Sequence, residues 1–235
     1  MATLYHYLDC PYCFRVRAFL GERDVKWTSA LCDRDAPPPE LMSLNPLGRL
    51  PIWVTDAGKP VFGSSTIVQF VDATESGTPL LPTDPLARAR VLMAEEVATE
   101  GLLLPMIKLD REIVGRQSGD WNIEVYRIET QRVRKTLQIL AAFLGNRQWM
   151  VGDSLTPADL ALAQPLTIVE RFGLDLHGLP ALADLAERLS KRPAIVAARK
   201  APEIAKAPAI APLNLPQLNQ MAKPAQPAGD AAEKT

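Results

Sequence analysis

The sequence predicts an α/β domain followed by an all-helical one, on three observations. Short β-branched and aromatic runs alternate with helical periods up to about residue 75. The stretch "ESGTPLLPTDP", rich in proline and turn formers, then interrupts the pattern. Beyond it, long helical periods recur and no alternating run is found.

Taken in order, "TLYHY" has the composition of a strand, and from Pro11 the apolar positions Phe14, Ala18 and Phe19 recur at helical spacing, with Gly21 as the expected stop. "VKWTSAL" suits a second strand and "PPELMSL" a short helix. "LPIWVTD" and "VFG" read as a hairpin turning at Asp56-Ala57-Gly58-Lys59, and a helix runs from Ser64 to about Ala73. The order βαβαββα implies a mixed sheet.

In the second half, Leu86 to Val114 reads as one helix kinked at Pro105, where an N–H is lost and the ring clashes with the preceding turn. "NIEVYRIETQRVRKTLQILAAFLG" places Ile128, Leu137, Leu140 and Leu144 on one face and ends at Gly145. In "SLTPADLAL", Thr156 and Asp159 have the spacing of a reciprocal cap, Pro157 takes the first helical position, and Leu155 and Leu160 can close a hydrophobic staple. Leu182, Leu185 and Leu189 carry a further helix, and "RPAIVAARKAP" a short last one. The expected division is 1–76 for the α/β domain, 77–85 for a linker, 86–201 for the helical domain, and 202–235 for a mostly disordered tail rich in Pro and Ala.

A chain of 235 residues with 47% hydrophobic content can bury a sizeable core. Its 26 basic and 27 acidic residues leave a formal charge of -1, which argues against nucleic acid or an anionic membrane as a partner. The N-terminus lacks the basic start and apolar run of a secretory signal, and no stretch approaches the roughly 20 apolar residues of a membrane span. A cytoplasmic location is expected.

"DCPYCFRV" holds two cysteines that could bind a metal, close a structural disulfide or carry exchangeable redox chemistry. Cys10 falls where the first strand gives way to the first helix. Unpaired N–H groups and the positive end of the helix dipole favour a thiolate there, and such positions lower a cysteine pKa from about 8.5 to roughly 3.5–7.5. Cys13 lies one turn later on the same face, within reach to resolve a mixed disulfide on Cys10. An inert, buried pair of thiols is the plain alternative. Cys32, His6 and His177 stand isolated, so no metal site is expected, and Cys32 is assigned to packing.

"YLDCPYCFRVRAFL", "LNPLGRLPIWVTDAGKPVFGSSTIVQFVD", "LLPTDP" and "VGDSLTPADLALA" follow one another as in the cytosolic glutathione transferases, which the chain resembles from residue 3 to about 200. The first motif looks most like the omega class and glutaredoxin-type members. The resemblance implies a thioredoxin-like domain with a helical partner domain, glutathione as cosubstrate, and a homodimer. It assigns Cys10 as nucleophile and Cys13 as resolving thiol, with Pro11 and Tyr12 between them at the glutathione sulfur. Pro51 matches the family's cis proline, which would let the backbone of Leu50 pair with glutathione like an added strand. Ser64, with Ser65 or Gly63, would hold the γ-glutamyl carboxylate at a helix N-terminus.

Two departures stand out. The family usually has Glu or Gln where this chain has Gly63, and the omega-class lysine before "NP" is replaced by Ser43 and Leu44, leaving Arg49 and Lys59 as candidates by charge alone. A cysteine at this position implies a glutathione-dependent thiol transferase or reductase acting on a small or protein disulfide. An electrophile-conjugating transferase, for which Tyr5, Tyr7 and Tyr12 are available, is the alternative. A non-catalytic regulator of the same fold is the third reading. The acceptor pocket is expected between the domains, lined by "LLLPMIKL" from 102 to 109 and the face around Tyr12.

Overall fold

The computed structural model describes residues 1–114 and 121–200. The α/β half contains β1 (Thr3–His6), α1 (Pro11–Glu22), β2 (Thr28–Leu31), α2 (Leu41–Leu44), β3 (Ile52–Val54), β4 (Pro60–Phe62) and α3 (Ser64–Thr74). The sheet order is β2-β1-β3-β4, with β1 parallel to β2 and antiparallel to β3, and β3 antiparallel to β4. This is the thioredoxin-like arrangement.

Alternation along β1 builds the two faces of the sheet. Leu4 sits opposite Trp53, and both are buried in the main core with Phe14 and Phe19 of α1 and Ile67 of α3. Tyr5 sits opposite Ile52, and both pack in a second cluster with Leu41, Leu50, Cys10 and Cys13. One period of two therefore separates the structural core from the face that carries the thiols.

The helical half contains α4 (Pro85–Glu96), a π-helical segment (Val97–Leu103), α5 (Leu104–Val114), α6 (Ile123–Leu144), α7 (Pro157–Ala163), α8 (Pro165–Ile168), a 3-10 turn (Val169–Phe172), α9 (Pro180–Ser190) and α10 (Pro193–Arg199). The main core runs unbroken from Leu4 to Ala198, so both halves share it. Arg192, the N-cap of α10, makes a two-pronged ion pair with Glu22 of α1, at 2.6 Å on each arm. The connection after α3 is held by buried Arg23, which pairs with Asp72 at 2.5 Å and donates to the carbonyls of Glu75 and Ser76, each at 3.0 Å. Asp72 also accepts from the N–H groups of Leu80 at 2.8 Å and Leu81 at 3.0 Å.

The capping box forms as expected, with the Thr156 N–H donating to Asp159 at 2.8 Å, and Leu155 and Leu160 are buried beside it. Several expectations are corrected. Gly21 does not stop α1, which continues to Glu22; a Cβ there would come within 2.9 Å of the Ala194 Cβ, so the glycine marks the close crossing of α1 and α10. β2 is shorter than expected because only Thr28–Leu31 pairs with β1. The hairpin turn begins at Thr55, whose N–H bonds the Lys59 carbonyl at 2.9 Å, so Lys59 closes the turn.

The stretch from Leu86 to Val114 is not one α-helix: α4 passes into π-helical winding over Val97–Leu103, and α5 starts at Leu104, just before Pro105. Ile128 is 42% exposed, because the buried stripe of α6 is Tyr126, Thr130, Val133, Leu137, Leu140 and Leu144, a spacing that Ile128 does not share. Between Leu86 and Leu104, Val91, Ala94, Ala98, Leu102 and Leu103 are buried within the chain. Leu86 and Met93 are the large apolar side chains left well exposed in that stretch. Residues 202–235, read as a tail, lie outside the described residues.

Candidate functional site

Three residues separate the end of β1 from Cys10, and Arg17 fixes them. Its guanidinium donates to the carbonyls of Tyr7 at 3.0 Å, Leu8 at 2.9 Å and Ala198 at 3.1 Å, joining the loop before Cys10 to α10. Arg17 also contacts His6 Nδ1 at 3.2 Å, and since a guanidinium only donates, the His6 proton lies on Nε2 and points to Ser29 Oγ at 2.8 Å. Burial and the nearby Arg17 charge push His6 down to about 4, so it is neutral.

Cys10 is the N-cap of α1, and its sulfur accepts the N–H of Cys13 at 3.3 Å. Pro11 occupies the first helical position, where no N–H is needed. The Cys10 pKa falls to about 7 through the Cys13 thiol, which hydrogen-bonds it, and the Cys13 and Tyr12 N–H groups, with Arg34 adding a smaller effect against the cost of burial. Cys13 is fully buried, and burial together with the facing Cys10 sulfur drives its pKa far above the usual thiol range. Both thiols are free. The pair is therefore asymmetric, one sulfur close to ionised at neutral pH and one held protonated.

The depressed pKa predicts that alkylation of Cys10 by iodoacetamide rises with pH about a midpoint near 7, well below the 8.5 or so of a free thiol. The sign of the linked stability follows. Between about pH 7 and 8.5 the unfolded chain carries the proton that the folded chain has lost, so the contribution of Cys10 to stability is gained as pH rises through this window and lost again as pH falls. Denaturation of the unmodified protein and of Cys10→Ser, run at pH 6 and pH 9, checks this: the serine variant should lack the gain.

Arg34 stands beside this site, over the Tyr7 ring at 4.3 Å and paired with Asp9 at 2.9 Å. Tyr7 lies just past β1, and Tyr5 reaches Glu40 at 3.4 Å, so both rings border the thiol cluster. Cys32 packs half-buried against the same cluster, its thiol 3.5 Å from the Ala30 carbonyl, and burial raises its pKa. Leu50 joins the cluster as well, and the Leu50–Pro51 peptide is cis.

Ser64 opens α3, with Gly63 as N-cap at φ +87, a backbone region that favours glycine. Sequence reasoning missed what lies behind the serine. Arg15 of α1, buried, donates to Ser64 Oγ and pairs with Glu95 of α4 at 3.4 Å, and Ser65 Oγ donates to Glu95 at 3.1 Å. The available signal was an arginine inside a helix apolar nearly all round, a placement that demands buried partners.

One expectation is narrowed here. In "LLLPMIKL", Leu102, Leu103, Met106 and Leu109 belong to the core and Lys108 pairs with Glu129 at 2.9 Å, which leaves half-buried Leu104 and Ile107 as the positions open to a pocket. Arg49 and Lys59 are both exposed, and no ion pair is recorded for either among the described residues. An open cavity of about 430 Å³ lies elsewhere, between α6 and the loop before α9, and is lined by Arg134, Gln138 and Asp175 among others.

Comparison with known proteins gives two domain matches: the N-terminal domain of glutathione S-transferase over residues 4–79, and the C-terminal domain over residues 106–193. A probable maleylacetoacetate isomerase of Caenorhabditis elegans is 28% identical over 201 residues, covering 83% of this chain and 92% of that protein. The maleylacetoacetate isomerase of Pseudomonas aeruginosa is 28% identical over 206 residues, covering 81% of this chain and 92% of the relative. Among solved structures, a glutathione S-transferase of Methylobacillus flagellatus with glutathione bound superposes with a TM-score of 0.76 at 24% identity, covering 84% of this chain and 98% of that one.

Proposed function

From the premise that the chain belongs to the glutathione transferase superfamily and carries both of its domains, we propose that it is a glutathione-dependent thiol transferase or reductase working through Cys10. The observation that carries this reading is the asymmetric pair, a helix-capping thiol with a pKa near 7 beside a buried protonated one. The thioredoxin-like half, residues 1–76, holds glutathione, and the helical half, residues 86–201, flanks the second substrate.

The Cys10 thiolate attacks the glutathionyl sulfur of a mixed disulfide. The new bond joins Cys10 to glutathione, the old S–S bond breaks, and the substrate leaves as a thiolate that takes a proton from solvent. A second glutathione thiolate then attacks the glutathionyl sulfur, returning Cys10 and releasing oxidised glutathione. Cys13 offers a second exit: once deprotonated it attacks the Cys10 sulfur, expels glutathione and leaves an internal disulfide that two further glutathiones reduce. Leu50 and Pro51 border the cysteinyl part of glutathione, Tyr12 and Pro11 its sulfur, and Gly63, Ser64 and Ser65 its γ-glutamyl end, where the N-terminus of α3 favours an anion. No metal takes part in this reading.

The second reading is glutathione-dependent cis–trans isomerisation, favoured by the names of the two curated relatives. In that chemistry the glutathione thiolate adds to an activated double bond and leaves after rotation, with no net redox change. Conjugation to an electrophile would use the same bound thiolate. One set of assays separates them: turnover of a glutathionylated peptide with glutathione as reductant, against isomerisation of a maleyl β-diketo acid. Peptide reduction that depends on Cys10, with isomerisation absent or slow, supports thiol transfer; the reverse ranking would replace it. The proposed assembly is a homodimer in the cytoplasm, and Leu86 at 61% and Met93 at 56% exposure on α4 are apolar positions that a second subunit would cover. Among the described residues no helix is long and apolar enough to cross a membrane.

A further inference from the structure

We infer that Arg15 and Glu95 are a positioning pair that fixes the two serine hydroxyls at the start of α3 in opposite roles, Ser64 as donor to the γ-glutamyl carboxylate and Ser65 as acceptor for the γ-glutamyl ammonium. The inference rests on the reading that glutathione binds with its γ-glutamyl end at this helix start.

The polarity of each hydroxyl follows from its partner. A guanidinium has no acceptor, so the bond from Arg15 Nη2 occupies a lone pair of Ser64 Oγ and leaves the hydroxyl hydrogen for another group. An ionised carboxylate has no donor, so Ser65 commits its hydrogen to Glu95 Oε2 at 3.1 Å and keeps its lone pairs for another group. The two serines are neighbours in the first turn of an 11-residue helix, one ready to donate and the other ready to accept. An amino acid head group, carboxylate beside ammonium, has the matching pair of demands.

The pair itself is built for this task more than for stability. Arg15 is 6% and Glu95 3% exposed, and they come from the two halves of the chain, α1 and α4. Their closest approach is 3.4 Å, and Arg15 Nε and Glu95 Oε1 have no hydrogen-bond partner among the described residues. A buried ion pair with unfilled capacity is weak as a stabilising device. With opposite charges adjacent, it turns the hydroxyls without imposing a net charge on the ligand. Gly63 has no side chain to accept from an ammonium, whereas Ser65 Oγ, its hydrogen given to Glu95, has lone pairs to do so.

Calorimetry on the full chain tests this with three ligands: glutathione, glutaryl-cysteinylglycine, which lacks the ammonium, and γ-aminobutyryl-cysteinylglycine, which lacks the carboxylate. The unmodified protein should bind each truncated ligand about tenfold or more weakly than glutathione. Ser65→Ala should erase the preference for the ammonium and keep that for the carboxylate; Ser64→Ala should do the opposite. Arg15→Met combined with Glu95→Met, which leaves no buried charge unpaired, should reduce both preferences to roughly threefold or less. A general loss of folding would not produce this selective pattern, and the Ser65 variant alters a half-buried hydroxyl that leaves the core intact. An unchanged preference for the ammonium in Ser65→Ala, or both preferences intact in the double variant, would overturn the inference. No binding of glutathione by the unmodified protein would overturn it together with the glutathione-dependent reading. The expected preferences without any adduct on Cys10 would uphold it and remove thiol transfer alone.

Discussion

Cys10→Ser is expected to lower glutathione-dependent reduction of a glutathionylated peptide by roughly three orders of magnitude or more, because it removes the nucleophile itself. A serine hydroxyl at the same N-cap still accepts from the helix, so the fold should survive the change. Cys13→Ser should behave differently. Glutathione from solution can resolve the intermediate on Cys10, so turnover on glutathionylated substrates should stay within about tenfold, while the internal disulfide exit is lost. Serine at position 13 still offers a hydroxyl and the backbone N–H to the Cys10 sulfur, so the alkylation midpoint should stay near 7 in this variant. Reduction retained by the Cys10 variant would remove the assignment of the nucleophile.

The second large effect concerns stability. Asp159 is fully buried and accepts from the N–H of Met150 at 2.8 Å, the N–H of Thr156 at 2.8 Å and the Thr156 hydroxyl at 3.0 Å. Asp159→Ala strands two backbone donors where water cannot reach them. Each costs about 1–3 kcal/mol, for a loss of roughly 2–6 kcal/mol. For a chain of this size that lowers Tm by about 4–24 °C, at roughly 2–4 °C per kcal/mol. Asp159→Asn keeps one acceptor oxygen and should fall between the two. Differential scanning calorimetry checks the ranking, and a shift below about 3 °C for the alanine variant would show that the donors find other partners.

Both predictions grow from features legible in the sequence. Cys10 could be placed at a strand–helix junction from pattern alone, and Thr156, Pro157 and Asp159 announced their cap through fixed local spacing. Local rules of this kind depend on residues a few positions apart. What stayed hidden depends on partners far along the chain. Gly21 looked like a helix stop because nothing near it in sequence reveals that Ala194 presses against it. Arg15 meets Ser64 and Glu95 across separations of 49 and 80 residues, and no periodicity marks that meeting. Ile128 differs for another reason: its apolar character suggests burial, but its helical phase, opposite to the stripe through Leu137, places it at the surface. Near Pro105 the local rule marks an irregular α-helix but not its form, a π-helical segment over Val97–Leu103 that precedes α5.

If Cys10 forms a mixed disulfide with glutathione, the adduct should be visible by intact-mass measurement after incubation with oxidised glutathione. The unmodified protein should gain a single glutathionyl group or, when Cys13 resolves it, lose two hydrogens to the internal disulfide. Cys13→Ser should trap the glutathionyl group, and peptide mapping should find it on Cys10. Modification confined to Cys32, or none in the Cys13 variant at neutral pH, would contradict the account.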